Sequence, residues 1–215
     1  MTGERRGDRT VPPALVADDA RRLRECVAAG GVAIFPADTV YGLACDPLQR
    51  EAARRLYELK GRPPERAAAV MFFSLAAALD ALPQLGRRER AALEALLPGP
   101  LTVLLPNREH RFPLTGAAAV LGLRVPLLPE PLAVLGAVDV PVMQSSANLS
   151  GGPEARRLED IPPVLLAGAD LVLDGGELPG IASTVLDLSE YEKGGSWRVV
   201  RAGPVGAGEV ERALG

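Results

Sequence analysis

Lys60, Arg62 and Arg66 sit on or beside a stretch that proline and glycine stiffen, Lys60-Gly61-Arg62-Pro63-Pro64. A stiff loop holds three cations near one another, and such a cluster suits a triphosphate, whose charge is otherwise costly to bury. It would also stabilise charge developing on a phosphorus under attack. A solvated basic loop has the same composition, since charged residues are mostly exposed. A second polar run, Ser145-Ser146-Ala147-Asn148-Leu149-Ser150-Gly151-Gly152, follows an apolar segment. Its hydroxyls and amide can bind a ligand while its glycines admit close backbone approach. Read alone, it is more readily an ordinary Ser/Asn/Gly turn. Arg124 lies near the end of an apolar run and two residues before Pro126. A guanidinium there can grip a carboxylate bidentately or simply reach solvent. Ser183-Thr184, before Val185-Leu186, and Arg201, closing the last apolar run, are unremarkable by themselves.

Several chemistries are absent from the pattern. The single histidine, His110, rules out HExxH and His-rich metal sites and leaves no credible Ser-His-Asp or Cys-His arrangement. Neither a Walker loop nor a dinucleotide-binding glycine pattern occurs. Cys26 and Cys45 are too far apart for a CxxC pair and read as free thiols of a reducing compartment. The net charge of -3 disfavours a protein whose main work is gripping a nucleic-acid backbone. No apolar run approaches the roughly 18 residues of a membrane span, and the first residues are polar and Arg-rich. A cytoplasmic protein is expected.

The elements that must position these groups can be read coarsely. At 215 residues with 47% hydrophobic content, the chain can bury one sizeable core. With aromatics at 4%, that core rests on Leu, Val, Ile and Ala. Residues 1–13 are expected to be a disordered tail and 14–215 a single domain. A first helix, capped by Asp18 or Asp19, runs to about Ala29 and stops at Gly30-Gly31. A strand at 32–35 follows, then a polar turn over 36–39. Further helices are expected at 49–59, 74–82, 87–97, 131–137, 159–168 and 207–214. Further strands are expected at 67–73, 101–105, 120–125, 140–144, 171–173, 185–188 and 197–201. The elements mix without strict strand–helix alternation, which points to an α/β protein with a mixed sheet. The polar groups fall at strand ends, the usual ligand positions of such sheets.

Taken in order, eight segments resemble the YrdC-like family of threonylcarbamoyl-AMP synthases. They are GGVAIFPADTVYGLACDP at 30–47, YELKGRPPER at 57–66, LLPGPLTVLLP at 96–106, GLRVP at 122–126, PVMQSSANLSGGP at 141–153, DLVLDGG at 170–176, ASTVLDL at 182–188 and WRVVRAG at 197–203. The resemblance implies a twisted mixed β-sheet with flanking helices around a concave ligand site, in the short single-domain form. It implies formation of L-threonylcarbamoyladenylate and pyrophosphate from ATP, bicarbonate or CO2 and L-threonine, for threonylcarbamoyladenosine modification of tRNA. Lys60 and Arg62 then correspond to the catalytic pair at the ATP phosphates, with Arg66, Asn148, Arg156 and Arg201 also facing ATP. Thr39, Arg124, Ser146 and Ser183 correspond to the threonine site, with Arg124 on the carboxylate. Mg2+ is implied on the nucleotide phosphates, with no protein metal site. The product would pass to a tRNA threonylcarbamoyl-transferase complex, with weak or no direct tRNA binding. Two other activities remain open on this fold: carbamoyl-adenylate formation from carbamoyl phosphate, and a non-catalytic RNA-binding or ribosome-maturation module. The chain departs from the family pattern at Ala37, Ala67-Ala68, Met71 and Leu127-Leu128.

Overall fold

The computed structural model describes residues 15–63, 66–116 and 119–215, so the tail expected at 1–13 lies outside the described residues. Helix α1 (Ala17–Ala28) buries Ala20, Leu23 and Val27, spaced at three and four residues along one face. Its first turn is closed by Asp19, whose Oδ2 accepts the Val16 N–H at 2.9 Å. The capping acid therefore works from inside the first turn, where a carboxylate also meets the positive end of the helix dipole.

Strand β1 (Ala33–Pro36) is followed by β2 (Tyr41–Cys45), an addition to the expected elements. All five β2 residues are buried, so no polar/apolar alternation marks it in the sequence. After α2 (Arg50–Lys60) come β3 (Ala69–Met71), α3 (Leu75–Ala81) and α4 (Arg87–Leu96). Strands β4 (Leu101–Pro106), β5 (Val120–Arg124) and β6 (Val142–Ser146) form the middle of the chain. The helix expected at 131–137 is a 3-10 helix, Glu130–Ala137. The helix expected at 159–168 is divided into a 3-10 turn, Leu158–Asp160, and α5 (Pro163–Gly168). Pro162 and Pro163 cause the division, because a proline in a helix interior removes a donor and clashes with the preceding turn. Strands β7 (Leu171–Val172) and β8 (Thr184–Asp187), the one-turn helix α6 (Tyr191–Gly194), β9 (Arg198–Arg201) and α7 (Ala207–Leu214) complete the fold.

The strands form one nine-stranded sheet in the order β7-β1-β2-β6-β3-β5-β4-β8-β9. Parallel pairing joins β1 to β7, β3 to β5 and β4 to β8; the other neighbours are antiparallel. The sheet is thus mixed, as the irregular alternation of elements implied.

Two apolar clusters flank it. One joins α1, α2, β1, β2 and part of β6; the other joins α3, α4, β4, β5, β8 and Val210 of α7. Along β4, Leu101, Val103 and Leu105 point into the second cluster, as do Leu121 and Leu123 of β5 and Leu186 of β8. The alternate residues Thr102, Leu104, Gly122, Arg124 and Val185 therefore face the other way. That opposite face carries the site.

Candidate functional site

A cleft of about 200 Å³ lies on this face, floored by β6, β3, β5, β4, β8 and β9. Its floor is small or hydroxylic: Ala69, Thr102, Gly122, Ser145, Ser146 and Ser183 all contribute. Three guanidiniums, Arg62, Arg124 and Arg201, reach its wall, against a single acidic side chain among the described residues, Glu154. Such an excess of positive charge in a concave surface concentrates anions there.

Helix α2 delivers the first cation. Gly61 ends it at φ 58°, the left-handed conformation that glycine adopts without steric cost, and Arg62 N–H returns to Tyr57 O at 2.9 Å. Lys60 therefore stays inside while Arg62 swings to the cleft. Lys60 is only 3% exposed. Its ammonium donates to Asn148 Oδ1 at 2.6 Å, to Asn148 O at 3.0 Å and to Ser146 Oγ at 3.2 Å, and also to Ser146 O. Ser150 N–H donates to Lys60 O at 3.0 Å. Lys60 and Asn148 thus lie behind Ser146 and brace it rather than line the cleft. Burial pushes the Lys60 ammonium down to about 8, with Glu154 pulling the other way.

Arg62 donates to Arg66 O at 3.0 Å, to Ser145 Oγ at 3.3 Å and to Ala67 O. Burial lowers its basicity, and the neighbouring Arg66 and Arg201 lower it further. The side chain of Arg66 is exposed and contributes to the cleft only through this charge and its carbonyl.

Arg124, at the end of β5, is buried rather than solvent-directed, and pairs with Asp38 at 2.6 Å. It also reaches Thr39 Oγ1 at 3.3 Å and Gln144 Oε1 at 3.4 Å, while its Nε–H has no partner among the described residues. Burial lowers Arg124 and raises Asp38, each partner opposing the shift of the other. Thr39 itself is buried behind this pair. At the far end, Arg201 donates to Ser183 O at 2.8 Å and to Ser183 Oγ at 3.2 Å, and Ser183 Oγ lies 2.8 Å from Thr102 Oγ1.

The structure therefore brings Arg62, Arg124, Ser146, Ser183 and Arg201 to one cleft. Lys60, Asn148 and Thr39 contact those residues from behind. Arg156 is exposed and pairs with Glu177, outside the cleft wall. Asp38, Thr102, Gln144 and Glu154 belong to the site without having been singled out in the sequence. Of these, Thr102 was detectable as the lone hydroxyl in the alternating run Leu101-Thr102-Val103-Leu104-Leu105. The departures at Met71 and Leu127 fall away from the cleft wall: Met71 packs in the first apolar cluster and Leu127 is 57% exposed. Ala67 and Ala68 do line it.

Among the described residues no cluster of three or more His, Cys, Asp or Glu side chains could hold a metal ion, and no helix is long and apolar enough to cross a membrane.

In sequence and in fold the chain is similar to known proteins. The Sua5/YciO/YrdC family model, described as "Telomere recombination", matches residues 25–203. A protein of Xanthomonas axonopodis pv. citri named threonylcarbamoyl-AMP synthase is 38% identical over 164 residues, 73% of this chain and 86% of that one. The crystal structure of P. abyssi Sua5 complexed with L-threonine superposes with a TM-score of 0.80 at 26% identity, covering 94% of this chain. This chain spans only 58% of the length of that Sua5 chain. E. coli YciO superposes with a TM-score of 0.74 at 25% identity, over 93% of this chain and 96% of its own. With its mixed nine-stranded sheet and its arginine-walled cleft, the chain belongs to the Sua5/YciO/YrdC family.

Proposed function

We propose that the chain is a threonylcarbamoyl-AMP synthase, making L-threonylcarbamoyladenylate and pyrophosphate from ATP, bicarbonate or CO2 and L-threonine. The observation that carries this reading is the convergence of Arg62, Arg124 and Arg201 on a cleft floored by hydroxyls. The chain's relatives are named for this activity.

The chemistry asks little of the protein besides position and charge. The amine of threonine adds to the carbon of bicarbonate or CO2 and gives a carbamate, releasing water or a proton. A carbamate oxygen then attacks the α-phosphorus, and the bond to the β-phosphate oxygen breaks as pyrophosphate leaves. No covalent enzyme intermediate is needed. Arg62 and Arg201 hold phosphate oxygens and offset the charge that builds on them during displacement. Lys60, with Asn148, fixes the backbone and hydroxyl of Ser146 so that this wall of the site is formed in advance. Arg124 takes the threonine carboxylate, and its Nε–H has no partner among the described residues. Asp38 and Thr39 keep its guanidinium in place. Ser183 and Ser146 supply hydroxyls for the amino acid. Arg66 adds field strength, and Arg156 meets the nucleotide only at the cleft's edge.

The donor set fits a Mg2+ ion carried by the nucleotide's own phosphates and water, the usual arrangement for that ion, because the wall offers a single carboxylate among the described residues. Bound there, it would neutralise phosphate charge.

The adenylate would pass to an enzyme complex that transfers threonylcarbamoyl to tRNA, with little direct tRNA affinity here, since the net charge is -3. A cytoplasmic location is consistent with that sequence of events. Pyrophosphate release from ATP with threonine and bicarbonate, compared with carbamoyl phosphate in their place, tests the proposal.

A further inference from the structure

Glu154 is the exception in the cleft. It is the only acidic side chain on the wall among the described residues, and its Oε2 is buried without a hydrogen-bond partner among them. A buried carboxylate oxygen without a donor is unfavourable, and such an atom in a native fold calls for an explanation. None of the nearby cations hydrogen-bonds that oxygen, although Lys60 and Arg124 feel its charge. Lys60 donates to Ser146 and Asn148, Arg62 to Ser145, Arg66 and Ala67, Arg124 to Asp38, Thr39 and Gln144, and Arg201 to Ser183.

The backbone around Glu154 is held on both sides. Asn148 Nδ2 donates to Gly152 O at 2.6 Å, Tyr41 N–H to Ala155 O at 2.9 Å and Leu178 N–H to Arg156 O at 2.8 Å. Pro153 restricts the chain just before it. Glu154 is thus carried to the cleft by a braced segment, and it does not swing out to solvent as a surface glutamate would.

The reactants narrow the choice of partner. The triphosphate, bicarbonate and the amino-acid carboxylate are all anions, which the arginines attract and Glu154 repels. The organic group of opposite sign is the α-amine of the amino acid, protonated on arrival. We propose that Glu154 receives this α-amine, while Arg124 takes the carboxylate of the same molecule. The inference rests on the reading that threonine occupies this cleft. It makes the site a two-sign clamp for a zwitterion, and it gives Glu154 a role in substrate choice. Molecules carrying the carboxylate and hydroxyl but no amine are selected against, because they leave the carboxylate unpaired. Once the bound ammonium has given its proton to solvent, the clamp leaves that nitrogen placed to meet the carbon of bicarbonate or CO2, which is a gain in orientation.

The test is calorimetric titration of the full chain, without nucleotide, with L-threonine and with 3-hydroxybutyrate, which is threonine without its amine. The wild type is expected to bind threonine at least about tenfold more tightly than 3-hydroxybutyrate, the scale of one charge-assisted bond. Glu154→Gln is expected to lose most of that preference by weakening threonine alone, with 3-hydroxybutyrate bound as well as before or better. Turnover by Glu154→Gln should keep its Mg2+ requirement. Equal threonine binding by the two chains overturns the inference, and so does an equal loss of both ligands, the mark of a merely structural role. Unchanged threonine binding with an altered Mg2+ requirement also overturns it and makes Glu154 a metal ligand. A wild-type chain that binds no threonine overturns the reading of the cleft itself, and this inference with it.

Discussion

Arg124 donates to Asp38 across 2.6 Å, with both side chains within a few per cent of full burial. The pair ties β5 to the turn between β1 and β2 and aims the guanidinium at the cleft. Removing one partner leaves an uncompensated buried charge, which typically costs about 3–5 kcal/mol. Asp38→Asn is expected to lower unfolding free energy on that scale in urea titration. Arg124→Lys keeps the charge but loses the planar fork. It should need far more threonine to saturate, with the ATP requirement changed less. An unchanged threonine dependence would place the carboxylate elsewhere.

Lys60 and Arg62 should separate when each is replaced by Ala. Lys60→Ala strips donors from buried acceptors on Ser146 and Asn148, so stability should fall by about 1–3 kcal/mol together with activity. Arg62→Ala takes a guanidinium from the cleft wall, and pyrophosphate release should drop about tenfold or more with a smaller loss of stability. Denaturant melts alongside turnover assays distinguish the two. Wild-type rates in both variants would remove them from the site.

The buried ammonium of Lys60 also has a pH signature. Its folded value is about 8, below the ordinary 10.5, because burial disfavours the charged form. Between those values the unfolded chain binds more protons than the folded one, so stability from this group rises with pH. Relative to Lys60→Met, the wild type should gain up to roughly 3 kcal/mol between pH 8 and 10.5, with no trend below pH 8. A difference that is flat throughout would mean that Lys60 titrates normally.

Much of this was legible in the residues, for identifiable reasons. The amphipathic helices α1, α2 and α4 and the alternating strand β4 carry strong periodic signals. The polar segments in the breaks between elements marked out Arg62, Arg124 and Ser146, whereas Ser183 and Arg201 were unremarkable by themselves and came only from the family resemblance. β2 was not legible, because a strand buried on both faces has no alternation to show. Asp38 was hidden in a turn, where an acid is ordinary; only the fold brings it to Arg124. Lys60 and Arg62 look alike as neighbours on a loop. The left-handed Gly61 is what sends one inward and the other to the cleft.

Gly122 occupies the cleft floor on β5. A Cβ there would lie 3.4 Å from Ala69 Cα and 3.6 Å from Thr102 Cγ2, ordinary contacts that the fold tolerates. Gly122→Ala should therefore stay folded, within about 1 kcal/mol of wild type, because a Cβ fits and alanine costs less in a strand than glycine. Its methyl group would occupy substrate space, so threonine or ATP saturation should need about tenfold more ligand. A variant with wild-type saturation curves would show that the substrates bind away from this floor.

The most direct measurement is pyrophosphate release by the wild-type chain with ATP and Mg2+, omitting threonine and bicarbonate in turn. The account expects release only when both are present, with the nucleotide recovered as threonylcarbamoyl-AMP. Release that ignores threonine, or that is absent with all substrates supplied and returns with carbamoyl phosphate, would contradict it.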